Sequence, residues 1–463
     1  MVRTKSDEYR FKVITDPVHS EISLSQLEVA LIDTPSFQRL RRLKQLGLAS
    51  YVYPGATHTR FAHSLGVFHV ISRAIDAMVR RNIFSEPERR KLRVAALLHD
   101  VGHYPYSHLV EFLDRDPDRA ALLARGRRAK ARIPYPDHET LGELVITKRE
   151  DIARELRGAK IDPTEIARIV RGGHNKQKYN QLVHSTLDAD RLDYLARDAI
   201  GTGVPFGRVD VPYLLGNLEV DKNDRLALRA KAATAAEHFV LARYFMFKAV
   251  YQHKTVFGFE AMMRQALTLL RAKGKLWRDG SVVEGTVSDP TEFLAFHDGW
   301  IDKVIGDHVG IGGPLGRLCQ ALRDRRAPEL IAEVSSLAAN GTSQAAELTR
   351  FHARRKDHIQ AVAKKCGIPL ECWLWEDPKQ ISFEKLGPFV DLDEASSVDQ
   401  TDVAELLYIL DERGRAQPLI QDRRSILHYL SRLRFKTARL YVVEDDPHRV
   451  LNAKLEVDAW IKP

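Results

Sequence analysis

A chain of 463 residues, 44% hydrophobic and 29% charged, is long enough for two or three domains and too apolar to be a disordered or fibrous one. Its 71 Lys and Arg against 62 Asp and Glu leave a formal charge of +9, which favours a polyanionic partner without requiring one. The opening MVRTKSDEYRFKVITDPVHS lacks the apolar stretch of a secretory leader, and no run reaches the roughly 18 apolar residues of a membrane span. Cys319, Cys366 and Cys372 show no CxxC spacing, so the expectation is a cytoplasmic protein with reduced thiols.

Apolar residues recur mainly at helical spacing, and strand-like alternation is sparse. Phe61, Leu65, Phe68, Ile71, Ile75 and Met78 form one stripe of a helix, with Arg60 and His63 three apart on another side. RKLRVAALLHDVGH reads as a helix ending near His103, because Pro105 cannot continue it. Its last turn would aim His99, Asp100 and His103 the same way. In STLDADRLDYLARDAIGTGV, Leu192, Leu195 and Ala199 share one stripe, while Asp190, Tyr194 and Asp198 repeat every four residues on another. NLEVDKNDRLALRA suggests a hairpin around Lys222 to Asp224. The stretch from Ala236 to Lys273 reads as one long helix with Arg243, Phe247 and Tyr251 on a single face. Beyond about Lys275, Gly, Asp and Pro suggest loops, followed by a strand-like ARLYVVEDD and a helical HRVLNAKLEVDAWI. The expected fold is mainly α: a helical metal-binding core over residues 1–275 and a smaller mixed α+β lobe over 276–463, suited to an accessory or oligomerisation role.

Buried ionisable groups cost free energy unless they are paired or bind a metal. RVAALLHDVGHYPYSH places His99, Asp100, His103 and His108 directly after an apolar run. Together, His63, the doublet His99-Asp100 and Asp190 offer two imidazoles and two carboxylates to one divalent ion. That donor set suits Mn, Fe, Ni, Mg or Zn without choosing among them. Any one of these residues alone would read as a capping, solvated or satisfied group. His19, His58, His69 and His174 lack a partner pattern and read as structural or solvated.

In order and spacing, TRFAHSLGV, LLHDVGHYPYSH, DHETLGE and LDADRLDYLARD resemble the HD-domain deoxynucleoside triphosphate triphosphohydrolases, a family with an animal SAM-and-HD-domain member and shorter bacterial ones. The resemblance runs from about Asp16 to Lys254. It implies His63, His99, Asp100 and Asp190 as metal ligands and His103, His108, Glu111 and His138 as a catalytic polar cluster. Arg60, Arg191 and Arg243 would meet phosphates, and Gln45, Tyr194 and Asp198 the sugar. Leu46 and Tyr251 would crowd the 2′ position, and Gln252 would face the base. It further implies deoxynucleoside triphosphates as substrate, one divalent metal, and a homo-oligomer. Asp33, Gln38 and Arg41 match a regulatory guanine-nucleotide site of the animal enzyme, or serve as ordinary helix-start chemistry.

Three departures stand out. GHYPYSH replaces the usual GHGPFSH and puts bulk at Tyr104. Arg191 stands for a phosphate-contacting lysine, and Glu111 for an aspartate; Arg for Lys keeps the charge but not the geometry. Three rival readings remain, of which hydrolysis of guanosine tetraphosphate is the weakest. A nuclease or phosphodiesterase would use the same metal set, and Arg115, Arg119, Arg125, Arg127, Arg128, Lys130 and Arg132 form a basic insert suited to single-stranded nucleic acid or simply to an exposed helix. A non-catalytic nucleotide sensor would need neither the full ligand set nor the polar groups around it.

Overall fold

The computed structural model describes residues 11–114, 133–183, 185, 187–338, 343–376, 381–382, 406–411, 413–431 and 433–461. The basic insert 115–132 lies outside the described residues. As expected, the molecule is mainly helical, with small sheets around its helices.

Four helices position the ionisable residues: α1 (Arg60–Val79), α2 (Glu86–Leu98), α3 (His138–Lys148) and α4 (Ala189–Thr202). Their starts are written in the sequence. Thr59, Ser85, Asp137 and Asp188 each accept a backbone N–H of the first turn, and Ser85 with Glu88 completes a capping box. Gly203, left-handed at φ 75°, closes α4. The α1 stripe from Phe61 to Met78 is buried, but so are Arg60 and His63, because α1 is packed by both α2 and α4. Gly66 lets α4 approach: a Cβ there would lie 1.8 Å from Asp193 Oδ1.

α2 ends at Leu98, with His99 as its C-cap, rather than near His103. The chain leaves the helix so that Gly102 can press its backbone on α3, where a Cβ would come within 2.1 Å of Gly142 N. The single long helix expected from Ala236 is broken in two. α5 (Ala233–Met246) runs into a π-turn over Phe247–Tyr251, closed by Gln252 N–H donating to Phe247 O at 2.8 Å. α6 (Lys254–Ala272) then restarts with His253 as its cap.

The segment after Lys275 is helical, not a set of loops. Asp279 caps Gly280–Ser288, Asp289 followed by Pro290 starts Pro290–Ala295, and α7 (Asp298–Gly306) and Gly313–Arg323 follow. The Gly, Asp and Pro that suggested loops are helix starts.

The sheets are more extensive than the sparse alternation implied. β1 (Lys12–Asp16) and β2 (Ser20–Leu24) form an antiparallel hairpin in register Asp16↔Ser20. The expected hairpin is β3 (Leu218–Val220) and β4 (Leu226–Arg229). Next come β5 (Glu329–Ala338), β6 (Trp373–Glu376), β7 (Ile381–Ser382), β8 (Tyr408–Leu410), β9 (Ala416–Pro418) and β10 (Arg434–Val442). β10 lies between β5 and β6 and also pairs with β7, all antiparallel. α8 (Ser343–Cys366) and α9 (Pro447–Ile461) pack together on β5. The last sheet, β3-β4-β8-β9, joins strands from either side of residue 275, and one apolar core runs continuously from Ile22 to Trp460. No described helix is long and apolar enough to cross a membrane. All three cysteines are free and buried.

Candidate metal centre

His63 stands in the first turn of α1, His99 and Asp100 at the end of α2, and Asp190 in the first turn of α4. His63, His99 and Asp190 each offer one donor atom, all within 4.8 Å of one another. Each imidazole is held by its far nitrogen. His63 Nδ1 lies 2.8 Å from Asp193 Oδ2, and His99 Nδ1 lies 2.8 Å from the Ala96 carbonyl. That fixes both Nε2 atoms toward a common point, the usual way a ligating histidine is oriented. Both Nε2 atoms are buried with no hydrogen-bond partner; His63 Nε2 lies 2.8 Å from Asp190 Oδ1 but out of line for a hydrogen bond. Buried polar atoms are rarely left so. Asp100 adjoins the group, with Oδ1 3.3 Å from His99 Nε2 and Oδ2 3.9 Å from His63 Nε2.

The electrostatics point the same way. Burial opposes charge on His63, yet Asp190 and Asp193 more than offset it and raise its pKa to about 10. Burial likewise opposes charge on Asp100, but Arg60, His99 and His103 hold it well below the usual carboxylate range. This pocket gathers negative charge around orphaned nitrogens, and the residues present fit a divalent cation.

Beside it lies a second ionisable cluster. His108 Nδ1 is 2.7 Å from Glu111 Oε2, and His138 Nδ1 is 3.3 Å from each Glu111 oxygen. His103 stacks on His138 with centroids 4.2 Å apart and reaches Asp100 Oδ1 at 3.1 Å, which links the two groups. The turn feeding His108 is strained: Tyr106 and Ser107 both adopt positive φ, at 51° and 52°. It is held from several sides. Arg60 Nε donates to Ser107 Oγ at 2.8 Å, and Asp298 of α7 accepts Tyr106 N–H at 2.7 Å and Lys44 N–H at 2.8 Å. Arg39, buried, donates to the carbonyls of Val101 and His103. Tyr104 does not crowd the site. It is fully buried, faces Tyr135 and Phe296, and donates to Pro136 O at 2.7 Å.

A cavity of about 260 Å³ adjoins this cluster and brings together Gln45, Leu46, Arg60, His108, Tyr251 and Gln252. The side-chain oxygens of Gln45 and Gln252 are buried without hydrogen-bond partners. Arg60 NH1 donates to Asp100 Oδ2 at 2.7 Å. Arg191, Tyr194, Asp198 and Arg243 do not line this cavity. Arg191 bonds Asp188 and the Ser185 carbonyl, and Tyr194 packs edge-on to Tyr251 near the charge of Arg243. Both Asp198 oxygens are engaged, one by His58 Nε2 at 2.8 Å and one by Tyr251 OH at 2.5 Å. Of the regulatory candidates, Gln38 donates to Ile32 O and accepts from Arg41, while Arg41 lies over the Phe61 ring.

Sequence reasoning missed several contributors. His58 holds Asp198, and His19 reaches Asp193 Oδ1 at 2.6 Å, so neither is merely solvated. Asp193 was legible in principle, since it lies three residues past Asp190 and four before Arg197, which it pairs. Asp298 gave no signal, because only folding brings α7 to the Tyr106 turn.

Residues 60–198 match the HD domain and residues 209–280 the HD associated region. An uncharacterized protein of Bacillus subtilis, YwfO, is 32% identical over 55% of this chain and 55% of its own length. The human deoxynucleoside triphosphate triphosphohydrolase SAMHD1 is 29% identical over 59% of this chain and 48% of its own length. The chain thus spans about half the length of these curated relatives. A phosphohydrolase of Bacteroides thetaiotaomicron has the same fold at a TM-score of 0.67 and 24% identity, covering 93% of this chain and 99% of that one. The chain carries an HD domain followed by an HD-associated region, and it is similar in sequence to deoxynucleoside triphosphate triphosphohydrolases.

Proposed function

We propose that the chain hydrolyses deoxynucleoside triphosphates to deoxynucleoside and inorganic triphosphate. The observation that carries this reading is the pair of orphaned imidazole nitrogens aimed at Asp190, one residue cluster away from a cavity lined by Gln45, Leu46, Arg60 and Tyr251. His63, His99, Asp100 and Asp190 would hold a divalent ion, which when bound neutralises phosphoryl charge and lowers the pKa of water.

The chain's own groups do the rest. Arg60 is anchored by Asp100 and Ser107, so its guanidinium is fixed at the cavity wall, ready to meet a phosphate. Arg191 and Arg243 supply further positive charge beside Tyr194. His108 is half exposed at the cavity, and its Nδ1 is taken by Glu111, which leaves Nε2 to protonate the departing 5′ oxygen. Glu111 holds His138 as well, keeping that imidazole beside His103, where the two would orient the attacking water. Tyr251, tied to Asp198, and Leu46 present bulk rather than hydrogen-bonding partners to a 2′ hydroxyl, which favours deoxyribose. The metal and site roles of all these residues, and the homo-oligomer, belong to this proposal.

The test is product identification. With Mn²⁺ and mixed dNTPs, the purified protein should release deoxynucleosides and intact triphosphate. Deoxynucleoside monophosphate with pyrophosphate, or faster cleavage of single-stranded oligonucleotides, would overturn the reading.

A further inference from the structure

Further along α1 from the candidate centre lies a second cavity of about 390 Å³. It is within the roughly 300–1,000 Å³ that small-molecule sites occupy. His69 and Arg73 contribute from α1 and Arg80 from its C-cap, where spacings of four and seven residues put them on one face, and Ala77 between them leaves room. His19 completes the polar wall and stacks on His69 with centroids 4.8 Å apart. The opposite wall is apolar and includes Val209 and Leu215.

Among the described residues, none that lines this cavity is acidic. Of the buried or partly buried carboxylates nearby, Asp16 and Asp193 pair with Arg197, and Asp76 pairs with Arg89. Arg73 and Arg80 are exposed, and among the described residues neither has an ion-pair partner. The result is a concave wall with two uncompensated guanidinium groups facing an apolar one. Guanidinium forks match phosphate oxygens, and the apolar face suits a heterocycle.

We propose that this cavity is a binding site for a nucleotide-sized organic phosphate, separate from the catalytic pocket. Arg73 and Arg80 take the phosphate, His69 donates beside it with His19 stacked on its ring, and the wall of Val209 and Leu215 covers the organic portion. His19 Nε2–H also donates to Asp193 Oδ1, whose other oxygen holds His63, so the site shares one carboxylate with the candidate metal centre. The proposal does not depend on which substrate the catalytic pocket takes.

The probes are adenosine 5′-monophosphate, adenosine and inorganic phosphate, titrated calorimetrically into the full-length, metal-loaded protein. Adenosine monophosphate should bind more tightly than either fragment. The double variant Arg73→Glu/Arg80→Glu should weaken it at least about ten-fold, the effect of losing a charge-assisted contact. dNTP turnover should stay within about two-fold, since both arginines are exposed and lie outside the catalytic pocket. A gentler Arg73→Gln/Arg80→Gln variant should fall in between. Equal binding by wild type and both variants would overturn the site, and so would inorganic phosphate binding as tightly as the nucleotide. A parallel loss of binding and turnover in a folded variant would also overturn it, by placing the ligand in the catalytic pocket.

Discussion

Two histidine clusters sit side by side in this molecule, and they are wired in opposite senses. In the first, His63 and His99 are held by their Nδ1 atoms, and their buried Nε2 atoms converge on Asp190 with no hydrogen-bond partner. In the second, His108 and His138 direct Nδ1 at the carboxylate of Glu111, which therefore consumes the charge that a cation would otherwise find. Both groups bring two imidazoles and a carboxylate within reach of one another. What separates them is which nitrogen is spoken for. In the function proposed here the first arrangement would hold an ion, and the second would hold and move a proton.

The sharpest way to break this contrast is to remove a donor from the first cluster. Asp190→Ala should abolish metal binding and turnover together, read by metal content and dNTP hydrolysis on the same sample. Normal metal stoichiometry at normal rates would end the assignment. Next in size, His108→Ala should lower kcat by about 10²- to 10⁴-fold, the usual worth of a positioned general acid, while metal content stays unchanged. Loss of metal in that variant would erase the distinction between the clusters.

A smaller effect is expected one layer out. Asp193→Asn keeps the shape but weakens the hold on His63 Nδ1, and metal affinity should fall about 10- to 100-fold. An unaltered affinity would mean that the buried Asp193 serves only its pairing with Arg197.

The smallest effect is a pH signature of the second cluster. Burial opposes the Glu111 charge, but its bonds to His108 and His138 hold the carboxyl below its ordinary range. Burial also opposes a charge on His138, and Glu111 nonetheless raises it. Glu111 therefore adds stability that is full above its unfolded pKa of about 4.3 and lost as pH falls through the depressed folded value. His138 adds stability that is full below its unfolded pKa of about 6.5 and lost as pH rises through the raised folded value. The Tm gap between wild type and Glu111→Gln should be widest between about pH 5 and 6 and narrow on both sides. A gap that is constant with pH would show that Glu111 acts by packing alone.

The sequence carried the local parts of this architecture well. Caps such as Thr59, Ser85 and Asp188 act within three residues of themselves, so the helices bearing His63, His99 and Asp190 could be read directly. Long-range closeness could not. Gly102 ends α2 early because it meets Gly142 of α3, forty residues on, and no local pattern encodes that contact. Asp289 and Pro290 suggested a loop because a helix start and a turn use the same residues. β1 and β2 are five-residue strands whose pairing is visible only once the hairpin closes. His19 and His58 were passed over for the same reason, since their carboxylate partners lie 174 and 140 residues away.

The central claim is that the ion sits in the first cluster and not in the second. Anomalous diffraction from crystals grown with Mn²⁺ tests it directly. One peak should appear, bounded by His63 Nε2, His99 Nε2 and the carboxylates of Asp100 and Asp190. A peak among His108, Glu111 and His138 instead, or none at either place in an active protein, would contradict it.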